Sequence, residues 1–170
     1  MFLKGHNMDE VEIRLATYED KKYLVKWLSD PDTLRWYPMS NEREIEDAAN
    51  IWISYVKYKA VITALYNGQP AGIANLYLQH LKKVSHQCLL AIVVGKDFRN
   101  KGIGTRLIQE LIKMGQEQFH LKYLHLEVYE NNPAFSLYQR LGFEKFGEQK
   151  NFIKEQDRYR SKIFMQRKLV

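Results

Sequence analysis

The chain is poor in the residues that would staple or break it. Among 170 residues there is one cysteine, Cys88, so no intrachain disulfide can form, and there are only four prolines. No apolar run approaches the roughly 20 residues that a bilayer span needs. Residues 1–7 lack the apolar stretch of a secretory leader, so a cytoplasmic location is expected, with no membrane partner. No His, Cys or Asp spacing suggests a metal site, so none is expected. No Ser-His-Asp arrangement can be inferred. Repeats and low-complexity linkers are missing as well, which leaves 1–170 as one expected domain.

What the chain does have is 45% hydrophobic residues, enough for one core of ordinary size, and a formal net charge of +6. A basic excess can favour nucleic acid, an anionic cofactor or an acidic protein surface. Here the 26 basic residues are scattered among 20 acidic ones. Even the densest basic stretch, 145–168, is interrupted by Glu148, Glu155 and Asp157. Solvation explains most of this charge, and attraction of a polyanionic cofactor is the best sharper reading. Nucleic-acid binding rests on net charge alone and is not expected.

Hydrophobic spacing predicts the elements. Val11–Leu15 alternates as a half-buried strand. Thr17 and Asp20 open a helix running to about Ser29, and Asp30-Pro31-Asp32 breaks it. Ser40 is placed to cap a second helix, with Glu42 and Glu44 in its first turn. A strand over 60–66, the Asn67-Gly68 turn and a strand over 71–81 form a hairpin, with Lys82-Lys83 as the next turn. The apolar run 88–94 predicts a central strand covered on both faces. A helix over 105–119, a strand over 123–129, a helix from Pro133 to Gly142 and closing strands over 143–146 and 159–169 complete the order. That order, β-α-α-β-β-β-α-β-α-β-β, implies an α/β (α+β) fold: a mixed sheet with helices against it.

Between the central strand and the next helix stands Arg99-Asn-Lys-Gly-Ile-Gly-Thr105. A helix N-terminus offers free N–H groups and a partial positive charge. Gly102 and Gly104 let an anion approach the backbone, and Arg99 and Lys101 add charge, so the segment 99–105, with Asn100 and Thr105, is a candidate phosphate cradle. It lacks the Gly-x-x-x-x-Gly-Lys-Ser/Thr of a nucleotide-binding P-loop and the third glycine of a dinucleotide fingerprint. Alone, it reads equally well as a glycine-rich helix start.

A second segment follows about 30 residues later: Asn131-Asn-Pro-Ala-Phe-Ser-Leu-Tyr138-Gln-Arg-Leu-Gly-Phe143. Together the two resemble the GCN5-related N-acetyltransferase (GNAT) family. Arg99, Gly102 and Gly104 match its Arg/Gln-x-x-Gly-x-Gly/Ala segment, which binds the coenzyme A pyrophosphate. Asn131, Ala134, Leu137, Tyr138, Gly142 and Phe143 match its later Asn-x-x-Ala-x-x-Leu-Tyr-x-x-x-Gly-Phe segment. The resemblance is specific over 88–146, and the element order extends it to the whole chain.

That resemblance implies a mostly antiparallel sheet whose central parallel strands splay apart, with helices on both faces. It implies acetyl-CoA as co-substrate, with pantetheine along the backbone of Ile92, Val93 and Val94 and the Val94 N–H on the thioester carbonyl. Tyr138 would be the general acid, and Asn131 and Ala134 further cofactor contacts, although Asn132 is adjacent and either asparagine fits. Some relatives carry a glutamate base on the strand before the loop; Leu89 stands there. Glu127, on the next strand, is the first candidate base, with His125 on the same face and His80 and His86 as further options. The aromatic stretch 34–39, with Tyr77 and Tyr129, is expected near an amine acceptor of unspecified class. A homodimer is compatible with all of this. A non-catalytic acyl-CoA sensor on the same fold is the alternative reading, against which Tyr138 argues.

Overall fold

A computed structural model describes residues 10–170; the segment 1–7 read for a leader lies outside them. The strands are β1 (Val11–Leu15), β2 (Val61–Tyr66), β3 (Gln69–Tyr77), β4 (Gln87–Val94), β5 (Tyr123–Tyr129), β6 (Glu144–Glu155) and β7 (Arg158–Lys168). The helices are α1 (Lys21–Leu28), α2 (Pro31–Leu34), α3 (Glu42–Ile53), α4 (Ile103–Glu117) and α5 (Ala134–Arg140). One sheet runs β1-β2-β3-β4-β5-β7-β6. Every neighbouring pair is antiparallel except β4 and β5.

The two faces of β4 follow from its period of two. Val93 joins the core built by Leu24 and Leu28 of α1 and Ile45, Ala49 and Trp52 of α3. Cys88 and Leu90 join the opposite core, beneath α4. The expected central strand covered on both faces is therefore present. In α4, Ile103, Leu107, Ile108 and Leu111 are at most 1% exposed. Each contributes about 2 kcal/mol of apolar burial, against about 1 kcal/mol lost by having Gly104 in the first turn. Packing outweighs propensity, and it fixes where the α4 N-terminus points.

Asp20 ties β1 to β2 below this core. It is 2% exposed and accepts hydrogen bonds from Arg14 Nη1 (2.7 Å) and Nη2 (2.9 Å), Thr17 N (2.9 Å) and Thr63 Oγ1 (2.9 Å). Burial pushes its carboxyl upward, but these bonds and the Arg14 charge outweigh burial and hold it below the usual carboxylate range.

Several predicted boundaries move, each for a local reason. Asn41, not Ser40, caps α3: its side chain accepts from Glu44 N at 3.0 Å, while Ser40 bonds the Glu44 carboxylate. Pro31 ends α1 as expected but also opens α2, because proline suits a first helical position. The α4 helix starts at Ile103 rather than Thr105, directly after Gly102 at φ +76°. β3 stops at Tyr77 rather than 81, and β6 runs to Glu155 rather than stopping at 146.

The sheet opens at its centre. β4 and β5 pair only at Gln87↔Tyr123, Cys88↔Leu124 and Leu89↔His125. Beyond this, β4 runs on to Val94 and β5 to Tyr129 with no ladder between them. The result is a wedge-shaped gap in an otherwise continuous sheet.

Candidate functional site

Backbone polarity inside the gap follows from register. Gly95 N donates to Ala71 O of the β3 side at 2.8 Å. Amides alternate sides along a strand, so those of Ile92 and Val94 face away from β3, into the gap. The carbonyl of Ile92 confirms the direction, since it accepts the hydroxyl of Tyr37. An unpaired strand edge inside a protein is an unfilled set of donors and acceptors. This one suits an extended polar chain laid along β4.

That edge leads to the N-terminus of α4. Arg106 N makes the first helical bond, to Gly102 O at 3.1 Å, so the N–H groups of Ile103, Gly104 and Thr105 precede the ladder. Gly102 is left-handed, and nothing lies within 4 Å of where its Cβ would stand. Gly104 serves differently: an added Cβ would meet Leu137 Cδ2 at 3.3 Å, so this glycine lets α5 close on α4. A cavity of about 650 Å³ fills the space. Its walls include Ile92, Val93, Val94, Arg99, Asn100, Gly102, Gly104, Thr105, Ala134 and Tyr138. Lys101 and Asn131 are not in those walls: Lys101 Nζ lies 5.3 Å over the Tyr66 ring, and Asn131 is an exposed turn residue at φ 65°. Asn132 lines the cavity instead, its side chain accepting from Ala134 N at 2.9 Å to start α5.

The end of α5 explains the Leu-Tyr-x-x-x-Gly-Phe spacing physically. Gly142, at φ +84°, donates to Gln139 O at 3.0 Å, and Phe143 N donates to Tyr138 O at 3.0 Å. This is a Schellman motif, which needs glycine at its left-handed position and an apolar contact between the residues flanking it. Here that contact is Phe143 edge-on to Tyr138, ring centroids 6.3 Å apart. The C-cap therefore locks the Tyr138 ring. Tyr138 is 8% exposed, and burial pushes its hydroxyl up to about 12. It stays protonated at neutral pH.

Tyr138 also borders a second cavity, of about 420 Å³, on the α3 side of the gap. Trp36, Tyr37, Met39, Tyr77 and Tyr129 line it, as the aromatic stretch suggested, together with Leu89 and Glu127. Glu127 bonds Lys162 Nζ at 3.0 Å. None of His80, His86 and His125 lines either cavity. His125 sits where the strands are still paired, and burial, opposed by Glu127, lowers its pKa.

Sequence reasoning missed the way α2 closes over the site. Thr33 Oγ1 accepts from Arg99 Nη2 at 2.6 Å and donates to Asp30 Oδ2 at 3.0 Å. Lys96 Nζ reaches Asp32 Oδ2 at 2.7 Å. Thr33 thus orients Arg99 of the loop, and Asp32 holds Lys96 just before it. No local pattern marks contacts between residues more than 60 positions apart.

The sequence profile of the acetyltransferase (GNAT) family matches residues 21–143. The chain is 26% identical over 107 residues to the L-amino acid N-acetyltransferase AaaT of Escherichia coli (strain K12), covering 62% of this chain and 66% of that protein. It is 38% identical over 76 residues to an N-alpha-acetyltransferase of Sulfurisphaera tokodaii, 44% of each. The matches thus span less than two thirds of these relatives' own length. A Salmonella typhimurium structure solved with its cofactor acetyl-CoA superposes with a TM-score of 0.79 at 18% identity, over 94% of each chain. At that identity the likeness shows the fold. With the profile covering well over half of its residues, the chain belongs to the GNAT family of acetyltransferases.

Proposed function

We propose that the protein is an acetyl-CoA-dependent N-acetyltransferase that moves an acetyl group to a primary amine by direct attack on the thioester. One observation carries the reading. The unpaired edge of β4 leads to the open N-terminus of α4, and Tyr138 stands where that cavity meets the apolar one. The named relatives, one for an amino acid and one for an α-amine, support an amine acceptor.

The residues fit the co-substrate. Outward amides at Ile92 and Val94 suit pantetheine, while the first-turn amides of α4 with Arg99 suit a pyrophosphate. Asn132, rather than Asn131, is the asparagine placed to contact it. Acetyl-CoA would supply a thioester whose carbonyl carbon takes the amine and whose sulfur leaves. The Val94 N–H then donates to the oxygen on which charge develops, worth about 3 kcal/mol for one well-placed donor. Glu127 takes a proton from the incoming ammonium, leaving a neutral amine whose lone pair attacks. Tyr138 gives its proton to the sulfur and regains one from the nitrogen, since a phenol held near 12 does not stay ionised at neutral pH. No covalent detour through the chain is needed. Its one thiol, Cys88, is buried under α4 and pushed up to about 12 by that burial.

Coenzyme A release, followed with a thiol reagent over a panel of amines, tests this. Amine-dependent release is expected. Tight acetyl-CoA binding with no turnover on any amine would support the sensor reading instead.

A further inference from the structure

The proposed reaction fixes the reacting nitrogen and leaves the body of the acceptor open. The cavity on the α3 side of the gap, about 420 Å³, has the size that encloses a small organic molecule. Its walls are short of charge. Among the described residues that line it, Glu127 is the one carboxylate and Lys162 the one cation, and they pair with each other at 3.0 Å. Lys162 is held in place, 3.7 Å over the Phe152 ring with its side chain 12% exposed. Two further polar groups at the cavity are engaged within the protein. Tyr37 donates to Ile92 O, and the side-chain oxygen of Asn132 accepts from Ala134 N at 2.9 Å.

What the walls leave uncovered is apolar. Trp36, Met39, Tyr77, Leu89 and Phe152 are each half-buried, and Ile51 of α3, another wall, is 59% exposed. Apolar side chains gathered around one concavity and left partly bare are surface for a ligand to cover. Burial also pushes the hydroxyls of Tyr77 and Tyr129 above the ordinary tyrosine range, which marks these walls as poorly solvated.

Each charged kind of acceptor meets a deficit here. The second ammonium of a polyamine would find no free carboxylate, and an acceptor carboxylate would find no free cation. A peptide would bury amide groups against walls whose polar groups are largely spent. Resting on the transferase reading above, we infer that the acceptor is a lipophilic monoamine: one primary amine on an aromatic or alkyl body that carries no further charge. The nitrogen lies on the Glu127 and Tyr138 side, and the body packs among Trp36, Met39, Tyr77 and Phe152. Poor solvation also favours the neutral form of the amine, which is the form that attacks.

The test compares matched amines in coenzyme A release by the wild-type enzyme. Hexylamine and hexane-1,6-diamine differ only by a second amine, and phenethylamine and L-phenylalanine only by a carboxylate. Hexylamine should exceed butylamine about 15-fold in kcat/KM, at about fourfold for each methylene moved from water to an apolar wall. It should exceed the diamine about 100-fold, because the extra charge is stripped of water without a partner. Phenethylamine should exceed phenylalanine, and a phenylalanine-led tripeptide amide, by a similar factor. Ile51→Glu, at an exposed helix position, should narrow the gap between hexylamine and the diamine about 3-fold by offering the second ammonium a carboxylate. An unchanged gap overturns the placement of Ile51 beside the acceptor. Wild-type preference for the diamine, phenylalanine or the peptide, or no gain with chain length, overturns this inference and leaves the transferase reading intact. Acetyl-CoA binding with no turnover of these amines, nor of the wider panel, overturns both together.

Discussion

Placing a negative charge at Gly102 should separate anion binding from loop shape. Gly102 is left-handed at φ +76°, and its missing Cβ faces open space. Asparagine and aspartate have nearly the same shape and tolerate this conformation better than other residues, at a cost of about 1 kcal/mol relative to glycine. Gly102→Asn therefore measures strain, and Gly102→Asp measures strain plus charge. A carboxylate about 5 Å from a phosphate, at an effective dielectric of about 20, is disfavoured by about 3 kcal/mol, and salt reduces this to about 2. The aspartate variant should bind coenzyme A about 30-fold more weakly than the asparagine variant by titration calorimetry. Its fold should be no less stable, because a carboxylate at a helix N-terminus is favourable by about 0.5 kcal/mol. The gap in affinity should also widen at low salt. Equal affinities for the two variants would refute the claim that this helix start holds a phosphate.

Tyr138→Phe should lower kcat by about 100-fold while barely changing the KM for acetyl-CoA, in steady-state assays across pH. With Tyr138 pushed up to about 12, no loss of activity from its ionisation should appear on raising the pH to 9. Glu127→Gln should lower kcat at neutral pH in the same assays, the loss expected of a missing base. Asp20→Asn should destabilise the fold by about 2 kcal/mol in urea at pH 7, less than for a fully buried pair because Arg14 is partly exposed. Asp20 is held below its ordinary value in the folded state, so its contribution is complete above about pH 4 and is lost as pH falls through the folded pKa. The difference between wild type and variant should accordingly shrink as the pH falls below about 4. Gly95→Ala places a Cβ 2.6 Å from Trp27 Nε1, against a rigid buried ring, and should cost about 2 kcal/mol in thermal unfolding.

What was legible in the sequence had a local cause. The hydrophobic period located β1, β2, β4, β5 and α4, and Gly142-Phe143 announced the end of α5 because a Schellman motif is built from neighbours. β6 was under-read for the opposite reason. Residues 147–151 are exposed or nearly so at almost every position, so no alternation marks them. They are strand because β7 pairs with them, with register shifts at Lys145/Gly147 and Gln149/Ile153.

The site divides the same way. The loop 99–105 and Tyr138 could be named from short motifs. Thr33 on Arg99 and Tyr37 on Ile92 join distant segments and have no sequence signature. The parting of β4 from β5 has none either. Both strands continue past the point where they part, and only their register shows the ladder ending at Leu89↔His125. Asn131 and Asn132 show the limit of motif matching. The motif selects Asn131, but the backbone turns at Asn131 and presents Asn132.

The most direct measurement follows the acetyl group itself. The protein is incubated with acetyl-CoA labelled in the acetyl carbons and with an excess of amine, and the amine is recovered for mass spectrometry. Label bound to the amine nitrogen as an amide, appearing in step with free coenzyme A and greatly reduced in Tyr138→Phe, is the predicted result. Bound acetyl-CoA with no label on any amine would contradict the account.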